Sequence, residues 1–487
     1  MEAKNAPLRA ELNQKDRQYF ETSLNAPMWR VVLSVGTPLA LYQGLAMVFT
    51  ILDTMMASHI SKESVSAVAY LSQVNLILSS VGGGLAVGAG IQISRAYGEG
   101  DFELVRRRVS SLYAISLSAG VLMLLGILPF TLPFLRLAGT PEELIAVGAR
   151  YFAVQLFVMV VNFLNGVYIA VERARGNARR IFLLNLLVIA VKLSLTALFV
   201  YVLHSELTMI AVASLCSELV LFGFALRYSL IGGNAFSFSL RAVSLDRRVT
   251  LPMLRQSWPV IAEKALFAMG KTVVNAMCAI YGALMVGALG VSNNLGGAAT
   301  NPQNGFQQGS AAIISQNYGA GRFRRVLEAF YVTAAVNMLI GGVISGLELW
   351  QLDLLSGLFD GGSPAFRAMI ATVYRYEALG AVPLGLNAAV LALLYGLGET
   401  RLTLLLNFSR VFLFRIPVLW FLQRFTALGE KSVGIVMMVS NTAVAVLALI
   451  VGLIVIRRFK RRFMRPAPQE TALAVARSRA DEMNNEE

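Results

Sequence analysis

Residues 31–57 read VVLSVGTPLALYQGLAMVFTILDTMMA, a run of some twenty apolar residues with a single acid, Asp53, near its far end. About 20 apolar residues rising about 1.5 Å each cross a hydrocarbon core of about 30 Å, so the run reads as a membrane-spanning helix. An acid at such a depth costs at least about 2.5 kcal/mol on insertion scales, which predicts that Asp53 faces a bundle interior or a wet cavity and has a task there. The competing reading places Asp53 near a helix end, in reach of headgroup water. Thr54 is followed by the apolar Met55, Met56 and Ala57 before Ser58, which favours the deeper position.

Outward from this run the chain repeats the pattern. Of 487 residues, 56% are hydrophobic and 14% charged, where a soluble domain carries about 25% charged residues. Apolar spans recur at 31–57, 66–94, 109–130, 148–171, 181–203, 207–231, 256–282, 286–315, 327–347, 368–396, 402–424 and 431–456, which predicts an all-α polytopic protein of twelve transmembrane helices. The net charge of +14 points to topology rather than to nucleic acid. Basic residues crowd alternate connectors: Arg106–Arg108, Arg173 to Arg180, Arg241 to Arg248, Arg322 to Arg325, Arg401, and Arg457 to Arg465. Lys and Arg are retained on the cytoplasmic side, so both termini are expected inside. Residues 1–26 read as a cytoplasmic tail or surface helix, 27–231 as a first lobe of six spans and 232–252 as a cytoplasmic linker. Residues 253–457 read as a second lobe, and 458–487 as a basic then disordered tail. The first thirty residues do not form a cleavable leader. Cys216 and Cys278 lie in apolar spans at no pairing spacing and read as small core residues.

The halves are copies of one unit. Ile93-Ser94-Arg95-Ala96-Tyr97-Gly98-Glu99-Gly100-Asp101-Phe102 aligns with Ile314-Ser315-Gln316-Asn317-Tyr318-Gly319-Ala320-Gly321-Arg322-Phe323, and the same shift puts Pro38 on Pro259 and Ala67 on Ala288. One residue more of shift puts Gly176, Arg179 and Asn185 on Gly398, Arg401 and Asn407. Six spans per unit make each copy start on the same side, so the copies are related by an axis along the membrane normal. Transporters built this way keep substrate near the midplane between halves. Each Tyr-Gly-x-Gly also reads simply as a glycine helix stop.

These features together resemble the multidrug and toxic compound extrusion (MATE) family, over nearly all of residues 30–457. The resemblance rests on Pro38 and Asp53 in the first span, Gln316 to Arg322 after the eighth, Gly396-Leu397-Gly398-Glu399-Thr400-Arg401 after the tenth, and Arg415-Ile416-Pro417 in the eleventh. It implies two six-helix lobes forming a V in a bacterial cytoplasmic membrane. It also implies a monomeric antiporter that exports small amphipathic organic compounds by alternating access, driven by a proton or sodium gradient without a cofactor. The family acid of the first span matches Asp53. The Asn-x-x-x-Asp pair that many members carry in the fifth span falls here on Lys192 and Thr196, and acids of the seventh and tenth spans fall on Phe267 and Leu384. An ammonium where a hard cation needs oxygen ligands speaks against a sodium site of the usual kind, though a monovalent cation near Asp53 stays open.

Charge within the spans suggests its own chemistry. Lys192 and Asp53 are candidates for a pair across the first lobe that protonation breaks, shifting the lobe between two arrangements; the alternative is a static tie. In the seventh span Lys264 and Lys271 lie almost on one helical face, and Glu263 is placed to serve one of them. Glu218, Glu377, Arg410 and Arg415 are further candidates. The eighth span carries seven amides, Asn293, Asn294, Asn301, Gln303, Asn304, Gln307 and Gln308, which need partners in hydrocarbon; some should face a central cavity and others join helices. Asn162 and Asn165 of the fourth span are weaker cavity candidates. Basic residues outnumber acids in the spans, which suggests a zwitterionic, neutral or partly anionic cargo rather than an organic cation.

Readings outside broad drug export are dedicated export of one natural product, a lipid-linked precursor flippase, and a membrane enzyme. The last has little support: His59 and His204 are the only histidines, and the chain has no His-Glu-x-x-His and no phosphate-binding Gly-x-x-x-x-Gly-Lys-Ser/Thr loop.

Overall fold

The computed structural model describes residues 12–57, 62–231, 234–359 and 362–464. Each apolar span of the sequence is a helix. A short helix α1 (Gln14–Asn25) precedes α2 (Met28–Ala57), α3 (Lys62–Glu99), α4 (Phe102–Ile127) with its continuation α5 (Thr131–Leu137), α6 (Glu142–Arg175), α7 (Ala178–Ala197) and α8 (Thr208–Leu230). The second half comprises α9 (Arg247–Cys278), α10 (Ala283–Gly319), α11 (Phe323–Trp350), a short α12 (Leu352–Gly357), the tenth span α13 (Pro364–Leu379) and α14 (Ala381–Leu397), the eleventh α15 (Thr400–Phe408) and α16 (Ile416–Phe425), and α17 (Lys431–Phe463).

By length and composition eight of these spans are apolar enough to cross a bilayer, and the α13–α14 pair, bent by 47° at Gly380, makes a ninth among the described residues. The remaining three, α2, α9 and α10, have 30, 32 and 37 residues and complete the twelve. α9 and α10 are less apolar because they carry Glu263, Lys264 and Lys271 and the seven amides. Cys278 is buried as expected, but Cys216 is exposed on α8, because its side of that helix turns away from the bundle.

The two halves meet through glycine, and they meet twice in the same way. A Cβ on Gly84 of α3 would stand 2.7 Å from the backbone nitrogen of Ile261 in α9, and one on Gly305 of α10 would stand 2.5 Å from that of Ala40 in α2. The shift that carries Pro38 onto Pro259 carries Gly84 onto Gly305 and Ala40 onto Ile261. Further along the same helices, Gly98 lies against the carbonyl of Gln316 and Gly319 against that of Arg95, again an equivalent pair. Each is a residue-to-residue contact returned by its copy, as a two-fold axis requires, and only hydrogen fits where backbones approach this closely. In the Tyr-Gly-x-Gly turns the two glycines therefore divide the work. Gly98 and Gly319 admit the other half, while Gly100 (φ 77°) and Gly321 (φ 69°) end the helices.

The N-terminal segment is more than a tail. The buried Asp16 accepts from Asn234 Nδ2 at 2.7 Å and lies 3.3 Å from Arg175 of the first half. At the other end of α1, Arg322 donates to Leu24 O at 2.8 Å, and Arg325 to Ser23 O at 3.1 Å and Ala26 O at 2.8 Å. α1 thus straps the two halves together at their basic ends.

The glycine contacts predict an asymmetry between substitutions. Gly305→Ala forces a methyl group into the Ala40 backbone and is expected to destabilise by about 1–3 kcal/mol. Gly346→Ala in α11, where a Cβ meets nothing within 4 Å, is expected to be neutral or to stabilise by up to about 1 kcal/mol. Thermal unfolding of the purified protein distinguishes the two.

Candidate functional site

Between the halves lies a chamber of about 800 Å³, within the range of about 300–1,000 Å³ typical of ligand pockets. Its wall on the first half comes from α2, α3 and the end of α6, and on the second half from α9, α10, α11, α13, α14, α15 and α17. The end nearest the basic connectors is closed by side chains that cross between halves. Arg95 Nη2 donates to Leu397 O at 2.7 Å, Gln316 Nε2 to Ala174 O at 2.5 Å, and Ser315 Oγ to Ile91 O at 2.9 Å. Arg95 and Gln316 are equivalent positions of the repeat, each capping a helix-end carbonyl of the other half.

The chamber is basic. Arg173, Lys264, Lys271, Arg410 and Arg415 line it against the carboxylates Glu263 and Glu377. Glu263 is already satisfied, accepting from Tyr395 Oη at 2.6 Å, Thr403 Oγ1 at 2.7 Å and Asn407 Nδ2 at 2.8 Å. Three donors from α14 and α15 hold the buried carboxylate, and Lys264 is near enough to act on it as well. Lys264, the next residue on α9, is exposed into the chamber. Glu377 accepts from Ser292 Oγ at 2.5 Å, just before the bend at Gly380.

Arg410 and Arg415 converge on one neutral atom. Asn441 Oδ1 of α17 accepts from Arg410 Nη2 at 2.9 Å and from Arg415 Nη2 at 3.0 Å, and Arg415 Nε reaches Ser440 Oγ at 3.1 Å. A π-helical turn, Ser409–Leu413, interrupts the eleventh span between α15 and α16 and sets both guanidinium groups toward the interior, a distortion that recurs at functional sites. Arg410 also lies 5.6 Å over the Phe267 ring, where an aromatic face partly offsets the lost hydration of a cation. Phe267 and Leu384 both line the chamber.

The seven amides between Asn293 and Gln308 of α10 all line the chamber as well, but unequally. Asn294 and Asn304 are exposed to it, whereas Gln303 is buried and donates to Asn337 O at 2.9 Å and Ala381 O at 3.0 Å. Gln303 thus joins α10 to α11 and satisfies backbone freed at the bend. Among the described residues no cluster of His, Cys, Asp or Glu suits a metal ion.

The model of the MatE family matches residues 38–202 and 259–421, one match in each half. The chain belongs to the MATE family of membrane transporters. It is similar to the probable multidrug resistance protein YoeA of Bacillus subtilis, with 24% identity over 82% of this chain and 88% of that one. It is also similar to the multidrug export protein MepA of Staphylococcus aureus, with 22% identity over 67% and 73%. Among solved structures, an outward-facing multidrug resistance MATE transporter superposes with a TM-score of 0.87, covering 93% of this chain and all of that one at 19% identity. A Pyrococcus furiosus transporter described as having a binding pocket of reverse polarity gives 0.86, over 92% and 99%, also at 19%.

Three cavity candidates are corrected. Asn162, Asn165 and Glu218 do not line the chamber; they meet one another inside the first half of this MATE protein. Asn165 Nδ2 donates to Glu218 Oε2 at 2.8 Å, and Asn162, with its amide nitrogen turned to the carboxylate, donates at 2.8 Å. An acid buried among α6 and α8 recruits the nearest amides because it needs donors wherever it lies. Lys192 of α7 is close enough to act on Glu218, and Thr196 is buried nearby on the same helix. Asp53 belongs to α2, but its side chain lies outside the described residues, as does His59. Sequence reasoning missed Tyr395 and Asn441 as partners of charge, and read Arg173 only as a connector residue. A polar side chain inside a strongly apolar span was the available signal for the first two.

The cage around Glu263 predicts that Glu263→Ala is the costlier of two neighbouring substitutions. It strands two buried hydroxyls at about 1–3 kcal/mol each and a half-buried amide, whereas Lys264→Ala removes a side chain that faces the chamber. Thermal unfolding is expected to show a large loss for the first and a small change for the second.

Proposed function

We propose that this protein is a secondary antiporter that exports a small amphipathic organic compound carrying negative charge, anionic or zwitterionic, from the cytoplasm by alternating access. One observation carries this reading: five cationic side chains line the chamber against two carboxylates among the described residues. Buried cations are costly without a counter-charge, and a cargo anion supplies it on binding. The exposed amides Asn294 and Asn304 offer hydrogen bonds to the uncharged part of the cargo, with apolar walls such as Phe267 and Met437 alongside. The reverse polarity named for the Pyrococcus neighbour supports the idea that this fold tolerates such a pocket. The multidrug names of the Bacillus and Staphylococcus relatives support export of foreign compounds, and the charged, amide-rich lining favours a dedicated natural product.

In this reading the basic connectors face the cytoplasm, the arrangement is outward-facing because the basic ends are closed, and the protein works as a monomer in a bacterial cytoplasmic membrane. An inward proton or sodium flow resets it through the first half, where Asp53, Lys192 and Thr196 are the coupling candidates and Glu218 adds a second acid. No cofactor takes part.

Uptake into proteoliposomes under an imposed pH or sodium gradient tests both parts. Lys271→Gln is expected to weaken uptake of an anionic fluorescent compound about tenfold, or ~1.4 kcal/mol, with little effect on a neutral analogue. A hydrophobic cation that binds directly, is displaced by protons and ignores the lysine substitutions would refute the cargo assignment. Asp53→Asn is expected to abolish the response to the gradient while cargo binding persists, and Lys192→Ala to change its pH dependence. Gradient-driven uptake unchanged in Asp53→Asn would remove that residue from the coupling.

A further inference from the structure

A second pocket, of about 420 Å³, opens on the outer side of the first half at its basic end, where α1 crosses the start of α7 and the end of α8. Two of the arginines that line it already have carboxylates. Arg175 lies 3.3 Å from Asp16 and 3.0 Å from Glu172, and Arg180 lies 3.3 Å from Glu172 and 4.3 Å over the Tyr228 ring. The other two cations, Lys15 of α1 and Arg179 of α7, are exposed and form no ion pair among the described residues. The pocket therefore presents two positive charges without an ion-pair partner among the described residues, one from α1 and one from α7, beside the network of Asp16, Glu172, Arg175 and Arg180 that joins those helices.

Its position gives the charge a meaning. Leu183 also lines the pocket and is 51% exposed, and one turn further along α7 Leu186 and Leu187 are exposed as well. Cations at a mouth that continues directly into a bare aliphatic face match the layout of a phospholipid, phosphate at the polar end and acyl chain along the helix. Basic pockets between spans at the membrane surface recruit anionic headgroups, and a phosphate oxygen accepts charge-assisted hydrogen bonds from Lys and Arg.

We propose that this pocket binds a phosphate anion between Lys15 and Arg179, supplied by an anionic phospholipid whose acyl chain lies along α7. Occupancy closes the gap between α1 and α7. Because the far end of α1 is bonded through Arg322 and Arg325 to the second half, the bound lipid would tighten the strap that spans both halves.

Thermal unfolding of the full-length protein in detergent tests this, with added phosphatidylglycerol, phosphatidylcholine, glycerol 3-phosphate or inorganic phosphate. Phosphatidylglycerol is expected to raise the midpoint, as a ligand bound only by the folded state must; phosphatidylcholine is expected to leave it unchanged. Lys15→Gln/Arg179→Gln is expected to lose at least half of the rise. An equal rise from glycerol 3-phosphate or inorganic phosphate supports the phosphate site and assigns it to a soluble anion. The proposal is overturned if no phosphate compound raises the midpoint, or if phosphatidylglycerol stabilises the double variant as much as the parent. Native mass spectrometry on the same samples provides an independent count, with one phosphatidylglycerol fewer expected on the variant.

Discussion

An ionised side chain is costly in hydrocarbon, and a chain this apolar has few places to put one. The molecule answers by turning charged groups inward, many of them onto the surface between two six-helix halves. The chamber follows from that constraint: α9 and α10, the two long described helices too polar for lipid, form one wall of it, and helices facing lipid enclose them. The charges do not cancel there. Two guanidinium groups share a single amide oxygen, and five cations line the chamber against two carboxylates, so the interior is left positive.

The two-fold repeat holds this interior together at little cost in side chains. Gly84 and Gly305, and Gly98 and Gly319, let backbone rest on backbone at equivalent points, which brings helices of opposite halves closer than any side chain would allow. The contacts concentrate toward the basic end, where Arg95, Gln316 and Ser315 add hydrogen bonds across the seam and α1 lies over it. A rocking motion of the halves would have to break backbone contacts and carbonyl caps together, which favours two discrete arrangements over a continuum.

The copies have diverged in their chemistry while keeping their packing. In the first half an acid, Glu218, is surrounded by Asn162, Asn165 and Lys192, away from the chamber. In the second half Glu263 and Glu377 line the chamber beside several cations. Matching glycines and prolines in the two halves therefore say nothing about matching charges.

Composition and periodicity by themselves determined the twelve spans, the repeat and the family, because the length of an apolar run and the spacing of glycine and proline are local properties of the chain. The lysines of α9 and the amides of α10 were legible too, since polar groups in an apolar helix must find a polar surface. Which surface they found was a tertiary matter. Asn162, Asn165 and Glu218 looked like chamber residues along the chain, yet they pair within one half. Glu263, besides the adjacent lysine, found Tyr395, Thr403 and Asn407, more than a hundred residues away. A helix sequence states that a side chain needs a partner, but only the packing of helices against one another decides which of the compatible partners comes within about 3 Å.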